Sequence, residues 1–250
     1  MATRAGDLLG RVGGVALAPI WMTISALRHA RTFHPRGVTL RADVLPRARV
    51  APWGTIAARL RGPALVRLSS ALWKQGEPID VLGIAIRFTR REELDARPAP
   101  GDQDLLFATI RRPWTMPFAP LSTRQHDFFA NRYFAVAPFR VHGAGSVEWR
   151  LVPAGPIDGD GSREDKLARA LDQDRARFVL EGRPYRRVVD LFRRRHWHPV
   201  ADVVLREEVE IDQRALRFDP YRAGRGIWPA GFVHALRKAS YAASQFGRAG

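Results

Sequence analysis

Hydrophobic and polar residues alternate in a succession of short runs along this chain, which is the pattern of β-strands with one buried face. The clearest run covers residues 38–44, where valine, leucine and alanine alternate with threonine, arginine and aspartate. Further runs cover residues 64–69, 81–88, 104–110, 133–141, 146–152, 178–181 and 200–211. Turn signals that contain glycine and proline separate these runs. Short connections between about eight strands predict a mostly antiparallel sheet, and eight strands are enough to close a barrel.

Helical spacing of apolar residues interrupts the strand pattern at three places. It covers residues 164–174 and 185–195, and Pro229 is well placed to begin a last helix. The pattern therefore predicts an α+β fold. We expect an N-terminal helical segment over residues 1–30 and a single barrel domain over residues 31–250.

Composition restricts the class of protein. The chain has 250 residues, of which 46% are hydrophobic, so it can bury a substantial core. It contains no cysteine, which excludes disulfides and thiolate metal sites and favours a cytoplasmic protein. The net charge of +16 suggests an anionic partner. Because almost all of the basic residues are arginine and are spread along the chain, we interpret them as a solvated surface and do not expect nucleic acid as the partner.

Residues 12–27 form an uncharged segment near the N-terminus. The segment contains Pro19 and is shorter than the about 20 residues that a bilayer span requires. We expect a helix packed on the domain, with a peripheral membrane contact through residues 12–27 as the alternative.

Five short motifs follow one another along the chain in an order that suggests a cofactor site. They are Arg31-x-x-His34, Leu65-Val-Arg67-Leu-Ser69, Asp80-Val-Leu-Gly83-Ile-Ala-Ile-Arg-Phe88, Asp104-Leu-Leu and Arg217-Phe-Asp-Pro-Tyr221. The series resembles the haem catalase family in order and approximate spacing over most of residues 31–221. The chain is about half as long as a full catalase, so it looks like a short, minimal member with a catalase-like barrel.

The resemblance implies haem b as the cofactor and assigns the distal side of the haem. His34 would move a proton between the two oxygens of a bound peroxide, as a distal histidine can. Ser69 would hydrogen-bond this histidine and orient it. Arg31 and Arg67 would bind the haem propionates, which are carboxylates that suit guanidinium groups.

On the proximal side, the resemblance implies that Tyr221 is the iron ligand, since tyrosine is the catalase ligand. An ordinary tyrosine has a pKa near 10, so a nearby cation must help to keep it ionised. Arg217 lies four residues earlier, which on a helical turn puts its guanidinium beside the phenolate. Arg225 is nearest to the position of a further arginine that the family carries beyond its ligand.

One departure from the family pattern changes the expected reaction. Thr109 is the nearest polar residue to the position of the family's distal asparagine. Without the amide, a second hydrogen peroxide should be poorly positioned, so we expect a peroxidase that acts on hydrogen peroxide or organic hydroperoxides with a small-molecule reductant. We also expect a homo-oligomer. The alternative is a haem-free protein of the same fold that binds an apolar or anionic ligand.

Each of the main site residues also has a purely structural interpretation. His34 can cap the strand that follows it. Arg67, within an apolar run, can pair with Asp80 or Asp104. Tyr221 can pack as an ordinary aromatic residue. The sequence leaves these alternatives open.

Overall fold

The structure, a computed structural model, describes residues 37–70, 80–112, 115, 118–135, 137–185, 196–213 and 215–230. The predicted N-terminal segment, Arg31 and His34 lie outside the described residues. So do most of the predicted helix at 185–195 and the residues that follow Ala230.

The described residues form ten strands and three α-helices, and they are mostly β. In chain order the elements are β1 (Gly37–Pro46), α1 (Trp53–Leu60), β2 (Gly62–Ser70), β3 (Leu82–Phe88), β4 (Gln103–Ala108), α2 (Ala119–Ser122), β5 (Tyr133–Phe134), β6 (Phe139–Val141), β7 (Gly145–Pro153), α3 (Arg163–Asp172), β8 (Arg177–Pro184), β9 (His198–Glu208) and β10 (Ile227–Pro229). A 3₁₀ turn covers Phe128–Ala130.

Eight of the strands close into an antiparallel barrel, as predicted. Around the barrel the order is β7, β5, β4, β3, β2, β1, β9 and β8, and pairing between β7 and β8 closes it. β6 pairs with the first residues of β7, and β10 extends the sheet beyond β6. All eight predicted strand regions contain observed strands. The region at 133–141 is divided into β5 and β6.

The barrel is filled by side chains rather than by an open lumen. Alternate residues of every barrel strand belong to one hydrophobic core, with Trp149, Tyr133, Phe88 and Phe178 as its largest members. Helix α1 follows β1 and buries Ile56, Ala57 and Leu60 at one end of the barrel. Helix α3 follows β7. Because β7 runs antiparallel to β1, α3 packs at the end of the barrel opposite to α1. Any site on the barrel wall must therefore be formed by residues that point outward.

Candidate functional site

The outward residues of β1 to β4 line up in rows across the four strands. One row contains Gly37, Ser69, Gly83 and Ala108, which are register partners from strand to strand. The next row contains Thr39, which is buried beneath the side chain of Gln213, and then Arg67, Ala85 and Leu106. Apart from Thr39, the seven residues of the two rows are partly exposed and most have small side chains. We call this surface the outer shelf.

Close approach of a neighbouring strand favours glycine at two positions of the outer shelf, more strongly at Gly37 than at Gly83. A Cβ atom at Gly37 would lie 2.9 Å from Nε of Arg67 and 2.8 Å from the carbonyl oxygen of Leu68. A Cβ atom at Gly83 would lie 3.2 Å from Oγ of Ser69. The Arg67 guanidinium therefore lies against Gly37, and burial lowers its pKa. Two of the five motifs meet here, through the Arg67-x-Ser69 pair and Gly83, next to Gly37, which lies three residues after His34 in the sequence.

A third row, which includes Arg87 and Asp104, is covered by the segment at 217–222. Nε of Arg87 donates to Asp104 at 3.1 Å, and both side chains are buried. The other Asp104 oxygen accepts the backbone N–H of Asp219 at 2.8 Å and pairs with Arg222. Arg87 also donates to the carbonyl of Arg217. Burial raises the pKa of the Asp104 carboxyl, against the opposing effects of Arg87, the Asp219 N–H and Arg222.

This network fixes the position of the 217–222 segment relative to the outer shelf. Residues two apart in a strand are separated by about 6.6 Å, so the Asp104 row lies about 13 Å from the Ser69 row. The ring of Phe218 contacts the Arg87 guanidinium, with Cζ 5.1 Å from the ring centroid. The structure thus brings the Arg67, Ser69 and Arg217–Tyr221 motifs onto one wall of the barrel.

The predicted contact between Arg217 and Tyr221 does not form as expected. Residues 216–219 have no regular secondary structure and residues 220–221 are in a turn, so the expected helical turn is absent. Arg217 is exposed and donates to the carbonyl of Leu216 at 3.1 Å. Tyr221 is partly buried, and its N–H donates to the Asp219 carboxylate at 2.9 Å. Pro220 explains the difference, because it cannot donate to a helical hydrogen bond and disfavours helix at the residue before it.

Thr109 lies directly after β4 at the edge of the outer shelf. Its hydroxyl oxygen accepts a hydrogen bond from the N–H of Leu82 at 3.3 Å. It also lies 2.8 Å from the Thr123 hydroxyl, whose single proton is donated to the carbonyl of Ala119, so Thr109 donates its own proton to Thr123. These bonds give Thr109 a structural role in holding the 109–123 loop. Because its only proton is already donated to Thr123, it is a poor substitute for an asparagine amide as a donor.

Arg225 lies at the other end of the wall from Ser69. Its N–H donates to the Gln103 side chain at 3.3 Å, and its Nη1 donates to the carbonyl of Arg59 at the end of α1. Burial lowers the pKa of this guanidinium. A cation here stabilises the C-terminus of α1. The structure therefore separates Arg225 from the outer shelf, where the resemblance had grouped it with the cofactor-binding residues.

The residues of the outer shelf suit haem, whereas the residues around Tyr221 suit it only in part. The residues beside Arg67 on the outer shelf mostly have small side chains and are partly exposed, as the resemblance requires for a flat group. Arg217, which was expected to keep the phenolate ionised, donates to the carbonyl of Leu216. The described part of the chain also contains no cluster of three or more histidine, aspartate or glutamate residues that could hold a metal ion.

The buried Arg87–Asp104–Arg222 network is the feature that sequence reasoning missed. Asp104 was a possible partner for Arg67, and the structure pairs it with Arg87 and Arg222 instead. The sequence could have predicted the Arg87–Asp104 pair, because the two residues are at outward positions of adjacent predicted strands and are opposite each other when these strands pair.

Neither a protein-family model nor a curated protein matches the sequence. In the described ranges, no helix is long and apolar enough to cross a membrane.

Proposed function

We propose that the outer shelf binds haem b and that the protein is a haem-dependent, catalase-like peroxidase that acts on hydrogen peroxide or organic hydroperoxides. The observation that carries this proposal is the close approach of Arg67 to Gly37, which lies in the same row as Ser69 and Gly83. These residues come from separate motifs of the resemblance, and they share one partly exposed surface. The small side chains around them suit a planar ligand.

Each residue of the outer shelf has a physical part in this proposal. Arg67 would offer its guanidinium to a propionate, which would replace part of the hydration lost through burial. Ser69, with its hydroxyl against Gly83, would accept or donate one bond to orient His34. Bound ferric haem would supply the oxidising chemistry that splits the peroxide, with a small-molecule reductant completing the cycle.

Tyr221 is proposed as the oxygen ligand on the basis of the resemblance and its fixed backbone. Asp219 accepts the Tyr221 N–H, and Asp104 in turn accepts the Asp219 N–H. We assign no role in this site to Arg217 or Arg225. Since Thr109 is held by Leu82 and Thr123, peroxidase activity should exceed hydrogen peroxide dismutation.

The test is a titration of the full chain with haemin, followed by absorption spectroscopy. The wild type should bind one haemin and give a high-spin ferric spectrum with a phenolate band. Ala85→Trp places a large ring on the outer shelf and should abolish binding. Val179→Trp is the matched control, because Val179 is also a partly exposed, outward strand residue, on β8. Tyr221→Phe should remove the phenolate band.

Two results would overturn the assignment. Equal haemin binding by the Ala85→Trp and Val179→Trp variants would show that haem does not use the outer shelf. An unchanged spectrum in Tyr221→Phe would remove Tyr221 as the ligand.

The absent helical turn at 217–221 favours a second candidate, a haem-free binding protein. In this case the outer shelf would accept an apolar ligand with an anionic group, and Arg67 would pair with that group. Protein that binds no haemin in the titration supports this candidate over the peroxidase.

A further inference from the structure

Two large apolar side chains are exposed beside each other in the loop that follows β4. Phe118 is 67% exposed and Leu121 is 74% exposed. They lie three residues apart at α2, so they project from the same side of one helical turn. Single exposed apolar residues are common on protein surfaces, but an adjacent pair this exposed indicates a contact surface.

Hydrogen bonds hold the base of this loop, so the two side chains are presented by a fixed support. The Thr123 hydroxyl lies 2.8 Å from both the carbonyl oxygen of Ala119 and the hydroxyl of Thr109. Asn131 exchanges hydrogen bonds with the backbone of Arg124, at 2.9 and 2.8 Å. Ala119, between the exposed residues, is buried. The exposure of Phe118 and Leu121 is therefore a consequence of the local fold.

Along the sequence, the charged residues on both sides of the pair are arginines as far as Arg124, and the next charged residue, Asp127, pairs with Lys166. No aspartate or glutamate occurs between residues 105 and 126, whereas Arg111, Arg112 and Arg124 do. All three arginines are exposed. We call Phe118, Leu121 and these three arginines the docking tip. The net charge of the chain, +16, adds a long-range attraction to anionic surfaces.

We propose that the docking tip binds the surface of bilayers that contain anionic lipids. Phe118 and Leu121 enter the boundary between headgroups and acyl chains, and the arginines contact lipid phosphates. Exposed apolar side chains with arginines before and after them in the sequence suit this surface, because guanidinium groups pair with lipid phosphates. The inference is independent of the proposed haem chemistry and of the predicted contact through residues 12–27.

Docking would also orient the candidate site. Thr109, which anchors the loop, directly follows Ala108 of the outer shelf. The edge of the outer shelf would then face the bilayer, where apolar ligands or hydroperoxides concentrate.

Vesicle flotation with the full chain tests the proposal. The wild type should bind phosphatidylcholine vesicles that contain phosphatidylglycerol and should bind pure phosphatidylcholine vesicles less. Phe118→Ser/Leu121→Ser should lower the partition coefficient roughly tenfold or more, because two apolar side chains no longer leave water. Val50→Ser is the matched control: Val50 is 79% exposed and lies next to α1, at the opposite end of the barrel.

The absence of cysteine allows a second measurement that does not depend on loss of binding. An environment-sensitive fluorophore on Leu121→Cys should shift to the blue with anionic vesicles, and the same label on Val50→Cys should not. The proposal fails if the wild type does not bind anionic vesicles, or if the double serine variant binds like the wild type. A shift at position 50 without one at position 121 also contradicts it.

Discussion

Asp104 is the residue that holds the 217–222 segment to the barrel. Its carboxylate is fully buried and pairs with Arg87 and Arg222, while it also accepts the Asp219 N–H. We expect Asp104→Asn to lower the free energy of unfolding by about 3 kcal/mol, because Arg87 is left buried without its ion-pair partner. Urea unfolding measures this loss. Asp202→Asn removes the more exposed pair with Arg47 and should cost about 1 kcal/mol or less. Equal losses would contradict the role given to Asp104.

For single residues, the sequence predicted the position of a side chain correctly where the alternation of a strand decides which way the side chain points. Arg67 and Ser69 were expected in one site, and they share the outward side of β2 because they are two residues apart. It failed at Arg217 and Tyr221, where a spacing of four was interpreted as helix. The Asp219 carboxylate accepts the Tyr221 N–H and forms a local turn, a competitor of helix that the spacing alone does not reveal.

Helix α3 begins with a reciprocal capping box, which makes its first turn sensitive to pH. Ser162 Oγ accepts the N–H of Asp165 at 3.1 Å, and Asp165 accepts the N–H of Ser162 at 2.9 Å. Hydrogen bonds from Ser162 lower the pKa of Asp165 from its ordinary value of 3.8. A carboxyl whose pKa is lower in the folded state stabilises the fold above its ordinary pKa. That stabilisation is lost as the pH falls through the lowered value.

We therefore expect Asp165→Asn to be less stable than the wild type above pH 4, with the difference disappearing in acid. Ser162→Ala should cost about 1 kcal/mol through loss of the N-cap. Asp172→Asn is the control, because Asp172 is in the last turn of the same helix, where a negative charge opposes the helix dipole. Urea unfolding over a range of pH, with NMR titration of the Asp165 carboxyl, measures the effect. A pH-independent difference for Asp165→Asn would refute the explanation.

Among the elements, those with a strong local pattern were predicted well. The eight strand regions and the helix at 164–174 were expected from periodicity, and α3 occupies Arg163–Asp172. Helix α1 was missed because eight residues are too few to be stable alone, and its packing against β1 and β9 is what supports it. The run at 133–141 is interrupted before β6, where Pro138 cannot donate to a sheet ladder.

For the whole molecule, the number of strands predicted a barrel, but the residues that complete it came from distant parts of the chain. The barrel requires β1 to pair with β9, with Pro46 opposite Ala201, and outside the barrel β6 recruits β10 from near residue 228. Neither pairing follows from local patterning, since strand pairs with short loops are the only ones a pattern suggests. The described residues are mostly β, and the α+β expectation depended largely on helices that lie outside them.

The end of the barrel is sealed where α1, β7 and β8 meet at Gly182. A Cβ atom at this position would lie 2.5 Å from Cζ3 of Trp53 and 3.0 Å from Cζ3 of Trp149. The two indole rings meet edge to face, with centroids 6.3 Å apart, and Trp149 is fully buried. Gly182→Ala should therefore lower the free energy of unfolding by about 2 kcal/mol through overpacking.

Gly155→Ala is the matched control for this substitution, because a Cβ atom there has no neighbour within 4 Å, and we expect a change of less than about 1 kcal/mol. Guanidinium unfolding followed by tryptophan fluorescence measures both variants.

A second experiment separates a clash with Trp53 from a general loss of strand stability. In it, Gly182→Ala is repeated in a Trp53→Leu background. The smaller side chain leaves space for the new methyl group, so most of the cost of Gly182→Ala should disappear. The same cost in both backgrounds would mean that contact with the ring of Trp53 is not what requires glycine in β8, and that α1 seals the barrel through its other buried residues.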